Sequence, residues 1–254
     1  MNFTHLKGFR ISIFALVFSL LVQGCTNEPA KAPEQNTETS QDASETITES
    51  SVITKQARFI TEDSEEISGL VYGQGDIGIV LAHMRGRGKS SWNEFAAKAS
   101  DSGYVVLAFD FRGYGDSTGE KDKRMDRDLE AAVRYMFFVE NVREVVIIGA
   151  SMGGTAAITI ADEYNVAAVA AISPSTAYGR INALEAASTM RTPLLLVIAE
   201  DDPPFNGYAN SLLAAASTTR YLEMTGSQHG TNLFAEHSDE LTEQLLAFVY
   251  AQTR

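Results

Sequence analysis

Short, uninterrupted apolar runs alternate with amphipathic stretches along most of this chain, and no other sequence feature constrains the fold as strongly. The runs are four to six residues long, as is typical of strands buried on both faces of a parallel sheet. Their positions are 77–82, 104–109, 145–148, 167–172 and 194–199, and a further run at 221–224 includes one charged residue, Glu223. Because successive parallel strands are joined by helical crossovers, the alternation predicts βαβ units and a doubly wound sheet.

The stretches between these runs carry apolar residues at the three- and four-residue spacing of amphipathic helices, as Met125, Leu129 and Val133 illustrate. Helices are predicted over 91–102, 123–141, 153–164, 206–217 and 237–252. Ahead of them, two alternating segments around a polar turn predict an antiparallel hairpin over 52–72. The prediction is an α/β domain spanning 52–254, with a mostly parallel sheet of about eight strands and helices on both faces.

Residues 1–24 have the features of a signal peptide: Lys7 and Arg10 precede an apolar stretch too short to span a bilayer comfortably. The following Val-Gln-Gly-Cys resembles a bacterial lipobox, and Cys25 is the only cysteine. This resemblance implies cleavage before Cys25, lipidation of its thiol and anchoring in the bacterial cell envelope, periplasmic or outer-membrane/extracellular. An ordinary secretory signal is the alternative.

Residues 25–51 comprise the predicted lipidated cysteine and a segment rich in Glu, Thr, Ser, Ala, Gln and Pro, without an aromatic residue. Such a composition cannot bury enough apolar surface to offset the entropy of ordering the chain. We therefore expect a disordered tether that carries no chemistry.

The charge balance and cysteine count exclude several classes of function. With 20 Lys and Arg against 33 Asp and Glu, the net charge is −13, which argues against a nucleic-acid partner. A single cysteine rules out a disulfide framework and cysteine-based zinc sites. We expect neither a cofactor nor a metal, and a monomer is assumed.

Residues 149–153 read Gly-Ala-Ser-Met-Gly between a predicted strand and a predicted helix, the context that a Gly-x-Ser-x-Gly turn requires. A turn this sharp crowds the backbone, which explains a glycine two residues on either side of Ser151. The turn exposes the Ser151 hydroxyl above the sheet edge and points it at the N-terminus of the following helix. Ser151 is therefore the candidate nucleophile.

A serine hydroxyl needs an adjacent imidazole to accept its proton, and the sequence offers four histidines. His229 follows the last predicted strand in the glycine-bracketed loop 226–230, so we predict it to be the general base. His83 is expected to pack structurally beneath the site, and His237 is expected to cap the last helix or lie on the surface.

With these residues, the globular part of the chain resembles the α/β-hydrolases. Further support for the resemblance comes from His83, from the segment Phe-Asp-Phe-Arg-Gly-Tyr-Gly-Asp-Ser at 109–117 and from Gln-His-Gly at 228–230. The family order of serine, acid and histidine, with the acid three residues after a small residue that ends a strand, implies Asp202 as the triad acid. Asp201 and Glu200 are the alternatives.

The resemblance also implies an oxyanion hole of two backbone N–H groups. One belongs to Met152, directly after the nucleophile, and the other to Arg85 in the loop that follows the first parallel strand. Met84 stands where the family usually has glycine, so it is an alternative donor.

The segment 173–193 leaves room for a loop and one short helix around 181–188, so no large lid is expected. The chain thus resembles compact, lidless esterases and dienelactone-hydrolase-like proteins, although the latter use a cysteine nucleophile. This implies a serine hydrolase acting on small or extended carboxylic esters through an acyl-enzyme. The alternatives are an amide or peptide hydrolase with the same triad and a catalytically silent binding lipoprotein.

Overall fold

A computed structural model describes residues 54–253, so the predictions on the signal peptide, Cys25 and the tether lie outside the described residues. Within this range an eight-stranded sheet has the order β1-β2-β4-β3-β5-β6-β7-β8. Its strands are β1 Thr54–Ile60, β2 Glu66–Tyr72, β3 Ile77–Ala82, β4 Val105–Phe109, β5 Glu144–Ala150, β6 Ala168–Ile172, β7 Leu194–Ala199 and β8 Thr219–Met224. The pairs β1–β2 and β2–β4 are antiparallel, whereas the other neighbours are parallel. The predicted sheet and hairpin are confirmed.

The helices occupy the predicted stretches and pack on both faces of the sheet. They are α1 Asn93–Asp101, α2 Met125–Phe138, α3 Met152–Ile160, α4 Ala183–Thr189, α5 Phe205–Ala215 and α6 Phe234–Gln252, with 3₁₀ turns at Lys89–Trp92 and Gly230–Leu233. Buried residues of α2, α3, α4 and α5 cluster on one face, and those of α1 and α6 cluster on the other. Neighbouring strand residues alternate between the two clusters: Ile147 belongs to the first and Ile148 to the second.

The last helix differs slightly from its prediction. It begins at Phe234 and is kinked at His237, whose backbone angles of −128° and 33° are not helical. The ring of His237 is 15% exposed, and its Nε2 lies 2.9 Å from the carbonyl oxygen of Thr225. His237 therefore ties the start of α6 to the chain after β8, rather than opening the helix as a cap or pointing into solvent.

A buried ionic cluster joins the loop after β4 to helix α2. The guanidinium of Arg112 donates to both carboxylate oxygens of Asp63, at 2.8 and 2.9 Å, and its Nε donates to Asp128 at 2.8 Å. Asp128 also accepts the backbone N–H of Arg112 at 2.9 Å. The hydrogen bond from Arg112 holds the pKa of Asp63 well below its usual range. Arg112 thus fixes the segment that follows Phe109.

The crossover from β6 to β7 is short: between Ile172 and Leu194 it contains only the seven-residue helix α4 and an isolated bridge between Tyr178 and Ile181. Nothing in this crossover is large enough to enclose the carboxyl edge of the sheet as a helical lid. Separately, none of the helices described between residues 54 and 253 has the length and apolar character needed to cross a bilayer.

Candidate active site

Ser151 lies in the turn between β5 and α3, at the carboxyl edge of the sheet. Its backbone angles of 50° and −112° are in a region that L-residues rarely adopt. Its N–H donates to the carbonyl of Ile172 at 2.7 Å, and its own carbonyl accepts the N–H of Thr155 at 2.9 Å. The residue is partly exposed. These bonds hold the strained turn at a partly exposed position.

The two glycines that flank Ser151 are required by close backbone contacts. A Cβ atom on Gly149 would lie 2.5 Å from the carbonyl of Gly153, and one on Gly153 would lie 2.3 Å from the carbonyl oxygen of Ala82. Both distances are far below van der Waals contact, and the obstructing atoms are backbone. The contact between Gly153 and Ala82 also packs the Ser151 turn against the end of β3, where the loop carrying His83 and Arg85 begins.

His229 and Asp202 form a hydrogen-bonded pair. The imidazole Nδ1 lies 2.8 Å from Oδ2 of Asp202, and Asp202 is buried, with 5% of its surface exposed. Because a carboxylate can only accept, Nδ1 carries a proton, and in the neutral imidazole the lone pair is then on Nε2. That tautomer is the one that a general base needs in order to take a proton from a serine hydroxyl.

The neighbouring acids occupy other positions. Glu200 uses its carboxylate to accept the backbone N–H of Gly226 at 3.2 Å, and Asp201 is exposed while its backbone N–H donates to the carbonyl of Gly226. Of the three acids that follow β7, Asp202 is the one hydrogen-bonded to His229.

The loop of His229 packs directly against the Ser151 turn. A Cβ atom on Gly230 would lie 3.6 Å from Cβ of Ala150, the residue before the candidate nucleophile. The N–H of Gly230 donates to the hydroxyl of Ser173 at 3.1 Å. The loops that carry the candidate base and the candidate nucleophile are therefore in contact at one edge of the sheet.

The two predicted oxyanion donors belong to the first residue of α3 and to the loop after β3. Met152 is the first residue of α3, so its N–H has no partner one turn earlier in the helix. Within the described residues, the N–H groups of Arg85 and of Met84 donate no hydrogen bond, so both alternatives for the second donor stay available.

The side chain of Met84, which stands where the family usually has glycine, packs beside the His229 loop. Its sulfur accepts a hydrogen bond from the hydroxyl of Thr231 at 3.3 Å, and it lies 2.8 Å from where a Cβ on Gly230 would stand. The carbonyl oxygen of Met84 accepts hydrogen bonds from Nδ1 of His83 and from the backbone N–H of Arg87. The Met84 side chain has room at this position because residue 230 is a glycine and has no side chain.

His83 is fully buried and pins this loop to the chain after β4. Its Nε2 accepts the N–H of Phe111 at 3.0 Å, which assigns the ring proton to Nδ1, 2.8 Å from the carbonyl of Met84. Burial lowers the pKa of His83, so it stays neutral. The ring also packs edge-on against Phe111 and Tyr114. His83 has a structural position in the loop.

An open cleft of about 460 Å³ adjoins the loop after β3. Its lining consists of Arg85, Gly86, Tyr114, Lys121 and Asp122. The carboxylate of Asp122 accepts hydrogen bonds from Nε of Arg85 at 3.1 Å and from the hydroxyl of Tyr114 at 2.8 Å. Burial, together with the bond to Asp122, raises the pKa of Tyr114 to about 12, so its hydroxyl stays protonated.

Two residues at the site were missed by sequence reasoning. The ring of Phe205 lies 4.1 Å, centroid to centroid, from the imidazole of His229, and buried Ser173 accepts the N–H of Gly230. No motif marks either residue, although Phe205 stands three residues after the predicted acid. Among residues 54–253, no group of three or more His, Cys, Asp or Glu side chains could hold a metal ion.

Comparison with known proteins places this site in a recognised context. Residues 79–188, which include Ser151 and the loop after β3, match the profile of the family described as Alpha/beta hydrolase family.

Two curated relatives match part of the chain. A Pseudomonas protein named 2-hydroxy-6-oxononadienedioate/2-hydroxy-6-oxononatrienedioate hydrolase is 31% identical over 115 residues, covering 42% of this chain and 41% of the relative. The quorum-quenching protein AidA of Acinetobacter baumannii is 34% identical over 107 residues, covering 39% and 35%. The chain thus spans less than half the length of these curated relatives.

Solved structures match over most of the domain. The esterase Pf2001 of Pyrococcus furiosus has a TM-score of 0.66 at 20% identity, covering 80% of this chain and 93% of that one. The enol-lactonase of Burkholderia xenovorans has a TM-score of 0.65 at 16% identity, covering 76% and 100%. At these identities the likeness establishes the fold.

Proposed function

We propose that this chain, which has the α/β-hydrolase fold and whose residues 79–188 match the profile of that family, is a serine hydrolase of small or extended carboxylic esters. The observation that carries the proposal is the 2.8 Å bond between His229 and Asp202 beside the strained turn of Ser151. It gives a serine hydroxyl, an imidazole with a free Nε2 and a buried carboxylate at one sheet edge.

In the proposed reaction, the Ser151 hydroxyl attacks the ester carbonyl while His229 Nε2 takes its proton. The C–O bond to the alcohol then breaks, His229 returns the proton to the leaving oxygen, and an acyl-enzyme remains. Water, deprotonated by His229, attacks that acyl group and releases the acid. Asp202 orients the imidazole through Nδ1–H and stabilises the imidazolium, but it does not itself accept the proton.

The negative oxygen of each tetrahedral intermediate needs donors that are already aimed at it. We assign this role to the backbone N–H of Met152 and, from the loop after β3, to that of Arg85, with Met84 as the alternative. His83 and Thr231 support the geometry, since both hold Met84 in place.

The substrate class is proposed from access to the site. The crossover between β6 and β7 contains only the short helix α4. Extended acyl or alcohol groups of a bound substrate can therefore project out of the site into solvent. The similarity to proteins named as an esterase and an enol-lactonase supports an ester or lactone carbonyl.

The test combines active-site labelling with turnover. A fluorophosphonate probe should label the wild type and leave Ser151→Ala unlabelled, and a chain-length series of p-nitrophenyl esters should be hydrolysed by the wild type alone. Equal labelling of both proteins would overturn the serine mechanism.

Amino-acid anilides serve as the second substrate set. Hydrolysis of anilides in preference to esters would indicate an amidase or peptidase, and a wild type that is neither labelled nor active on either substrate set would point to a binding protein. A matched control is Ser188→Ala, which removes an exposed hydroxyl on α4 and should leave labelling and turnover unchanged.

We also propose that the mature chain begins at lipidated Cys25 and is anchored in a bacterial cell envelope, on the strength of the Val-Gln-Gly-Cys motif. Expression with an alkyne fatty acid should label the wild type in the membrane fraction, whereas Cys25→Ser should be unlabelled. Processing of both proteins at the same site without lipid would favour an ordinary secretory signal.

A further inference from the structure

The aromatic ring of Phe205 lies against the imidazole of His229. Their centroids are 4.1 Å apart and the ring planes are inclined by 41°. Aromatic pairs in offset or edge-on contact have centroids about 4.5–7 Å apart. The shorter separation means that the two rings overlap in a tilted stack.

Phe205 and Asp202 belong to one short, well-anchored turn. The N–H of Asn206 donates to the carbonyl of Asp202 at 3.2 Å, and its side-chain amide donates to the carbonyls of Ala199 and Glu200, both at 2.8 Å. The ring of Tyr208, also on α5, packs edge-on against that of Phe205 with 5.6 Å between the centroids. The same turn therefore supplies a carboxylate to the edge of the imidazole and a ring to its face.

The face of a benzene ring attracts a cation within about 6 Å of its centroid. In the proposed mechanism His229 becomes an imidazolium as Ser151 attacks, and it is neutral before that step. An interaction that strengthens when this charge appears lowers the barrier rather than tightening substrate binding.

We propose that Phe205 is a positioning residue of the Ser151 site that holds the plane of the His229 imidazole and stabilises the positive charge it gains during catalysis. This inference rests on the proposed serine-hydrolase function. It assigns to Phe205 an effect on kcat with little effect on KM.

The test first compares Phe205→Leu with Phe205→Tyr on a p-nitrophenyl ester that the wild type hydrolyses. Leucine keeps apolar bulk but has no π face, so kcat and the rate of fluorophosphonate labelling should fall about five- to thirtyfold, with KM changing less than about twofold. Tyrosine should restore both rates to near wild type. Thermal unfolding of each variant shows whether it is folded.

A second series keeps the ring shape and changes only its charge distribution. Site-specific 4-fluoro-, 3,5-difluoro- and 3,4,5-trifluorophenylalanine at position 205 progressively weaken the negative face of the ring. The proposal expects kcat to fall with each added fluorine. The same residues at Phe138, which is 79% exposed on α2, are the matched control and should leave kcat unchanged.

Two outcomes overturn the inference: an unchanged kcat in Phe205→Leu, or a flat response to fluorination at position 205. Both outcomes are interpreted only when the wild-type enzyme is active. If instead the wild type is neither labelled nor active, the proposed function has failed, and the two failures are thus distinguished before any Phe205 variant is measured.

Discussion

The buried hydroxyl of Ser173 accepts the backbone N–H of Gly230 at 3.1 Å, which ties the residue after β6 to the residue after the candidate base. The preceding residue, Ile172, accepts the N–H of Ser151 at 2.7 Å. The end of β6 therefore supports the candidate nucleophile through a main-chain carbonyl and the His229 loop through a side chain. Ser173 itself has a φ of 49°, in the left-handed region.

Ser173→Ala should loosen the His229 loop. It leaves the buried N–H of Gly230 without its acceptor, which costs about 1–3 kcal/mol of unfolding free energy. We expect urea unfolding at a lower midpoint and a reduced kcat for the ester. Ser188→Ala on exposed α4 is the matched control, with an expected change within about 0.5 kcal/mol. Equal midpoints for the two variants would contradict a supporting role for Ser173.

Asp202→Asn should reduce kcat by about 10⁴-fold, because an amide no longer holds the imidazole in the tautomer that accepts a serine proton. Asp201→Asn is the isosteric control at the next position, and it should retain activity within a few-fold because Asp201 is exposed. Both are measured by ester hydrolysis at saturating substrate. A larger loss in Asp201→Asn than in Asp202→Asn would reassign the acid.

Gly153→Ala should destabilise the domain by about 3 kcal/mol or more, since its Cβ would lie 2.3 Å from the backbone oxygen of Ala82 and neither segment can move freely. Gly207→Ala is the same substitution within α5, where nothing lies within 4 Å of the new Cβ. It should stabilise the protein by about 0.5–1 kcal/mol through helix propensity. Chemical unfolding measures both, and a stable, fully active Gly153→Ala would refute the close-packing argument.

Asp63 predicts a pH dependence of stability. Its folded pKa is lowered by Arg112, so its contribution is present above the unfolded value of about 3.9 and is lost as the pH falls towards the folded value. The loss of unfolding free energy in Asp63→Asn should be largest at pH 5–7 and shrink on acidification below about pH 4. Urea unfolding from pH 7 to pH 3 checks this. Glu243→Gln, an exposed carboxylate on α6, is the control, and a constant difference for Asp63→Asn would contradict the linkage.

The strand and helix pattern was predictable because each buried strand is a continuous apolar run and each helix has one apolar face. Strands β3 and β7 have the predicted bounds, whereas α2 is shorter than its periodicity suggested because it begins after Arg124 in a left-handed conformation. A single left-handed residue of this kind is not visible to a periodicity argument.

The candidate site was predictable where a local motif marks it, as for Ser151 and for the spacing from Ala199 to Asp202. Contacts between distant segments were not, because nothing local in the sequence encodes them. Met84 appeared as a departure from a family pattern, and its reason lies at Gly230, far along the chain. Phe205 carries no motif because its relation to His229 exists only after β7 and β8 pair.

The register of the first hairpin has a practical consequence. Thr54 pairs with Tyr72, which pairs with Val106 near the start of β4, whereas Ser151 and His83 follow the ends of β5 and β3. The first described strand therefore begins at the amino edge of the parallel strands, across from the edge where the proposed active site lies. Coupling a resin or a fusion partner ahead of Thr54 should immobilise the protein with the proposed site unobstructed.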